Sequence, residues 1–170
     1  DVSCALRGRS NDHFAAAIGI GLRLLDYSAL GRKLLTLGAS PSWVALDSKV
    51  TLTSAVKSIL ESGSQGGDTD FRLGMEMVAS ACASANLDAS TVESLTLVIV
   101  SDMSFSSQDE MQATAKQVWH DAGLSTAHKL PYPCPHILYW SLSPGQAMIP
   151  PSVLYAKPCT MLSGYTPSLL

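Results

Sequence analysis

The stretch "LTLVIV" at positions 95–100 constrains the fold more than any other. It is continuously apolar rather than alternating, so a strand built from it is covered on both faces. That is the habit of a central strand in a parallel sheet. "HILYWSL" (136–142) reads as a second buried strand and "CTMLSG" (159–164) as a last one. The stretch between these two, "SPGQAMIPPSVLYAKP", is proline-rich and irregular, with a short strand at "SVLYA".

Covering such a sheet takes amphipathic helices, and the chain supplies them between the strands. Residues 13–27 place Phe14, Ile18, Leu22 and Leu25 at helical spacing, with Asn11 or Asp12 to cap the start. "KLLTLG" and "SWVALD" read as two short strands around the turn "ASPS". "TLTSAVKSILESG" reads as a helix with Ala55, Ile59 and Leu60 inward, closed by Gly63. The glycine-rich loop "GSQGGDTD" runs into a helix whose stripe is Phe71, Met75, Val78 and Cys82. "SQDEMQATAKQVWHDAG" is a further helix with Met111, Ala115 and Val118 inward and Gly123 at its end. Alternation of this kind defines an α/β class with a mostly parallel, open sheet flanked by helices on both faces. No repeat, low-complexity tract or linker divides residues 1–170, which read as one domain.

Composition narrows the functional classes. The chain is 46% apolar and 15% charged, enough for a core and too apolar for a disordered tail. A net charge of -3 removes the general attraction to nucleic acid. No run of eighteen apolar residues is present, so no membrane span is expected. Cys4, Cys82, Cys134 and Cys159 are far apart and show no CxxC, which fits reduced thiols and an intracellular, cytoplasmic home. Two bridges stay open as the alternative.

Several loops after strands carry oxygen ligands: "DVS" at the start, "DTD" in the glycine loop and "SD" after "LVIV". In order along the chain, "DVSCAL", "DTDF", "SDMSFS", "YWSL" and "LSGYTPSLL" resemble the motifs of a von Willebrand factor A-like domain. A closer resemblance still is to a family of uncharacterised eukaryotic and viral proteins that end in such a domain. "GRKLLTLGASPSWVAL" is similar to that family's paired strands after the first helix.

The resemblance implies a Rossmann-like sheet whose first, central strand lies upstream of residue 1, in a longer polypeptide. It implies a metal-ion-dependent adhesion site for Mg2+, with Ser3 and Thr69 as hydroxyl ligands and Asp1 and Asp102 as carboxylates. A hard cation of this kind takes six oxygens and keeps several waters. An open position would then accept an acidic residue from a partner protein. Three departures weaken the pattern: Ala5 stands where a second serine belongs, Cys4 replaces a glycine, and Ser107 falls where the family often has an acidic residue.

The expectation is therefore a protein-interaction domain, not an enzyme, working through the strand C-terminal face. The alternative is a structural module of a larger assembly, a shell or ribonucleoprotein particle, whose site has decayed and whose Asp1, Thr69 and Asp102 only cap helices and tie loops. A Mg2+ hydrolase using Asp102 is the weakest reading, since no base or nucleophile is paired with the carboxylates. His120, His128, Cys134 and His136 have no usual zinc spacing. No GxSxG elbow supports a Ser-His-Asp triad. "GIGLRL" lies within a helix, where its glycines serve close packing rather than phosphate binding, and "GSQGGDTD" lacks the Lys-Ser/Thr of a P-loop. Trp43, Trp119 and Trp140 read as core or half-buried aromatics.

Overall fold

A computed structural model describes residues 11–62, 69–101, 103, 111–142 and 159–164. Helix α1 (Asn11–Leu24) runs into a 3-10 turn (Leu25–Tyr27), then strands β1 (Lys33–Thr36) and β2 (Ser42–Ala45) and helix α2 (Leu52–Ser62). Helix α3 (Phe71–Ser84), the short α4 (Ala89–Ser94), β3 (Thr96–Ser101), α5 (Met111–Leu124), β4 (His136–Ser141) and β5 (Cys159–Ser163) follow. The class is α/β, as expected.

β1 and β2 form an antiparallel hairpin in register from Lys33 opposite Ala45 to Thr36 opposite Ser42. β3, β4 and β5 form a parallel sheet in that order, so β4 and not β3 is its middle strand. Both faces of β3 are nonetheless covered. Val98 and Val100 belong to an apolar cluster with Ile20, Ala16 and Ala17 of α1, while Leu97 and Ile99 belong to the main core with α3 and α5.

The hairpin shares these two layers. Leu34 and Val44 pack with Ile18 and Phe14 of α1, and Leu35, Leu37 and Trp43 pack into the main core with Met75 and Cys82 of α3. Because successive strand residues point to opposite faces, the division of odd and even positions is the same in β1 and β3. The two sheets therefore lie side by side between one helical layer holding α1 and another holding α3 and α5.

The helices bury the faces their spacing dictates. Phe71, Met75, Val78 and Cys82 of α3 are all buried, and so are Ala115 and Val118 of α5. Asp70 caps α3 by accepting a 2.8 Å hydrogen bond from the Leu73 amide. In α2, Ala55 and Ile59 are buried but Leu60 is 38% exposed, against expectation. One residue beyond Ile59 lies 100° further round the helix, and half-buried Val56 takes the inward position instead. Gly63, the Asn11, Asp12 and Met111 side chains, and the strand read at "SVLYA" lie outside the described residues.

Trp119 and Trp140 are buried, and Trp43 is half-buried against the core. The Trp140 indole N–H donates to the Gly164 carbonyl at 2.8 Å, which ties β4 to the end of β5.

Candidate functional site: the C-terminal rim of the parallel sheet

The three parallel strands end on one row. Ser101, Ser141 and Ser163 are register partners across β3, β4 and β5. The ladder runs one residue further, with the Leu142 amide donating to Ser101 carbonyl at 3.0 Å and the Gly164 amide donating to Ser141 carbonyl at 2.8 Å. Ser101 and Ser141 are wholly buried.

Beyond β3 the chain turns sharply. Met103 has a left-handed backbone, with φ of 61°, and its amide donates to the Ser101 hydroxyl at 3.1 Å. A serine hydroxyl bonded to the amide two residues on is a turn-forming device.

Thr69, the expected hydroxyl ligand among the described residues, lies beside the other sheet. The Asp70 amide donates to the Gly38 carbonyl at 2.9 Å, just past β1, and the Phe71 amide donates to the Thr69 carbonyl at 3.1 Å. This places Thr69 between the end of the hairpin and the first turn of α3. Thr69 is half-buried, and its hydroxyl makes no hydrogen bond to a described residue. That hydroxyl fits the role of a hard-cation ligand. The neighbouring Asp70 carboxylate does not, since it is engaged as the cap of α3.

Asp1, Ser3 and Asp102, the other three expected ligands, lie outside the described residues, as do Cys4, Ala5 and Ser107. Among the described residues no group of three or more His, Cys, Asp or Glu side chains stands ready for a metal. The zinc reading gains nothing here. His120 is exposed on α5 beside Asp121, whose carboxylate is held below its ordinary range by hydrogen bonds from Gln117 and then His120. Cys82, Cys134 and Cys159 are free thiols. Burial pushes Cys82 up to about 11 and Cys134 up to about 11, with Lys116 opposing slightly at Cys134. Thiols of that kind are poor nucleophiles and poor metal ligands at neutral pH.

The serine row went unassigned in the sequence, although "YWSL" and "LSGY" contain two of its members. Its only signal was each serine's place at the end of an apolar strand run. A second feature has no signature in the sequence. An apolar cleft of about 560 Å³ separates the two sheets, bounded by β1 and β3 at its sides and by α1 and α3 above and below. Gly21 of α1 borders it, and a β-carbon there would meet only the end of the Leu34 side chain, at 3.6 Å. That is an ordinary contact distance, so the expectation that the glycines of "GIGLRL" serve close packing is not met at Gly21. Gly19 has nothing within 4 Å of such a carbon.

A family model described as "Domain of unknown function (DUF7788)" matches residues 1–170, the whole chain. The chain belongs to the DUF7788 family. No curated protein and no solved structure matches it. No helix among the described residues of this DUF7788 domain is long and apolar enough to cross a membrane.

Proposed function

We propose that the chain is a von Willebrand factor A-like interaction domain, with a Rossmann-like sheet, that binds a partner protein at the C-terminal rim of its strands. Mg2+ is held there by Asp1, Ser3, Thr69 and Asp102, and an acidic residue of the partner completes its shell. The observation that carries the reading is the half-buried Thr69 hydroxyl, which has no hydrogen-bond partner among the described residues. Support also comes from the parallel strands that end together at Ser101 and Ser141, since ligands of open α/β sheets bind beyond the carboxyl ends of the strands. Ala5 removes one hydroxyl from the ligand set, and water takes that position on a cation that keeps several waters in any case. The domain works inside the cell and performs no catalysis.

Calorimetric titration with Mg2+ tests this. Binding that is lost in both Asp102→Ala and Thr69→Ala, with the fold intact by circular dichroism, is the expected result. A folded wild-type protein that takes up no Mg2+ at millimolar concentration overturns it. In that case Ala5 favours the second reading, a metal-free structural module of a larger assembly, and burial of the same rim against neighbouring chains would be the sign of it.

A further inference from the structure

Two thiols lie together where β4 and β5 begin, at the far end of those strands from the serine row. Cys159 opens β5 and is the register partner of Ile137 in β4. Side chains of register partners stand on the same face of a sheet, so Cys159 shares the face on which Ile137 joins the core with α5. Cys134, two residues before β4, packs against that same core. The two sulfurs are near enough that the charge of Cys159 acts on Cys134. Both thiols act on the buried Tyr139 hydroxyl, and the Lys116 ammonium of α5 acts on both thiols.

Their surroundings differ from those of Cys82. That thiol is 1% exposed, whereas Cys134 and Cys159 are each half-buried and within reach of a small oxidant. Among the described residues β5 ends the sheet, held by its ladder to β4 and by the bond from Trp140 to Gly164. A disulfide keeps its two Cα atoms about 5.5–6 Å apart. As the first residue of β5, Cys159 can adjust to that spacing while the ladder from Thr160 onward stays in place.

We infer that Cys134 and Cys159 form a redox pair, which a small disulfide such as glutathione disulfide oxidises to one bridge that pins β5 to the entry of β4. The Cys159 thiolate attacks one sulfur of the oxidant, forming a mixed disulfide and releasing one glutathione thiolate. The Cys134 thiolate then attacks the Cys159 sulfur, closing the protein S–S bond and displacing the second glutathione thiolate. The two protons lost by the cysteines end on the two glutathione thiolates, so the protein loses two electrons and the oxidant gains two. Burial raises both thiols, Cys134 up to about 11, and Lys116 opposes the rise at each. Little thiolate is then present at neutral pH, so the pair responds slowly and to sustained oxidation. The second step is intramolecular, which offsets the scarcity of Cys134 thiolate. The inference stands on the register of β4 and β5 and does not depend on whether the rim binds metal.

Oxidation of the full chain with glutathione disulfide, read by nonreducing peptide mapping in a mass spectrometer, tests it. One Cys134–Cys159 bridge with no retained glutathione is expected. Cys134→Ser is expected to hold one glutathione on Cys159 instead. The bridge is expected to raise the urea midpoint and to slow amide exchange in β5 by about 10-fold, with neither change in Cys159→Ser treated alike. Where a variant does not fold, the wild-type map decides alone. Glutathione retained on either cysteine of the wild type, a bridge to Cys4 or Cys82, or disulfide-linked dimers overturn the inference. So does a folded chain that keeps both thiols through prolonged exposure, or a bridge that leaves exchange in β5 unchanged.

Discussion

Gly123 and Tyr132 are in backbone contact: a β-carbon on Gly123 would strike the Tyr132 amide and the Leu130 carbonyl, with the Pro131 carbonyl carbon at 2.7 Å. The glycine lies one residue inside the end of α5, and its role there is close approach, not termination. Alanine in a helix ordinarily gains up to about 1 kcal/mol over glycine. Here the clash is with main chain that has little room to yield, and overpacking of that kind costs about 1–3 kcal/mol. Gly123→Ala is expected to destabilise, seen as a lower urea midpoint with unchanged slope; a raised midpoint would contradict the packing described.

The same loop is held from its other side. The Tyr132 hydroxyl donates to the Leu87 carbonyl at 2.5 Å, linking segments 45 residues apart. Tyr132→Phe is expected to cost about 1 kcal/mol, the net worth of one such bond. For a chain of this size, a melting point lower by about 2–4 °C is the expected readout.

Tyr139 presents the opposite case. Its ring fills the main core at 1% exposure, while its hydroxyl is buried without a hydrogen-bond partner among the described residues. Burial therefore drives its ionisation far above the ordinary range. Removing an unsatisfied polar group from such a site is neutral or favourable. Tyr139→Phe should leave the urea midpoint unchanged or raise it, and a clear fall would mean that the hydroxyl has a partner.

Asp88 caps α4, accepting from the Thr91 amide at 2.6 Å and the Ser90 hydroxyl at 2.7 Å. These bonds, the Thr91 amide first, hold its carboxyl below the ordinary value of 3.8. A depressed folded-state value means the ionised cap stabilises above 3.8 and loses that effect as pH falls through the lower value. Asp88→Asn keeps a capping oxygen but does not titrate. Urea midpoints followed from pH 5 to 2 should therefore fall further for wild type than for Asp88→Asn. Parallel curves would show that the cap does not form.

The Cys82 thiol, buried and pushed up to about 11, is almost wholly protonated at pH 8. Iodoacetamide at that pH is expected to spare Cys82 in the native protein and to modify it once urea has unfolded the chain. Rapid native labelling would place it at the surface.

Much of the fold was legible because local pattern and burial agree. The stripe of Phe71, Met75, Val78 and Cys82 has helical spacing and is buried throughout. The runs around Val98, Tyr139 and Met161 are strands in one parallel sheet. Helix α4 was missed because Val92 is its only buried residue, so no periodicity exists to find; Asp88 ahead of it was the one usable sign. Leu60 misled because composition does not reveal which side of a short helix meets the hairpin. Thr69 could be singled out as a candidate by its place before a helix. The pairing of Ser101 with Ser141 could not, since it depends on strand register, which a residue's neighbours in sequence do not fix.

Helix α1 has an effect well beyond its own turns. Phe14 belongs both to the cluster over the hairpin and to the one over β3, and the core beneath α3 likewise takes in Trp43 and Tyr139. Neither sheet can shed its cover without exposing the other, so heating should give a single calorimetric peak whose van't Hoff and calorimetric enthalpies coincide.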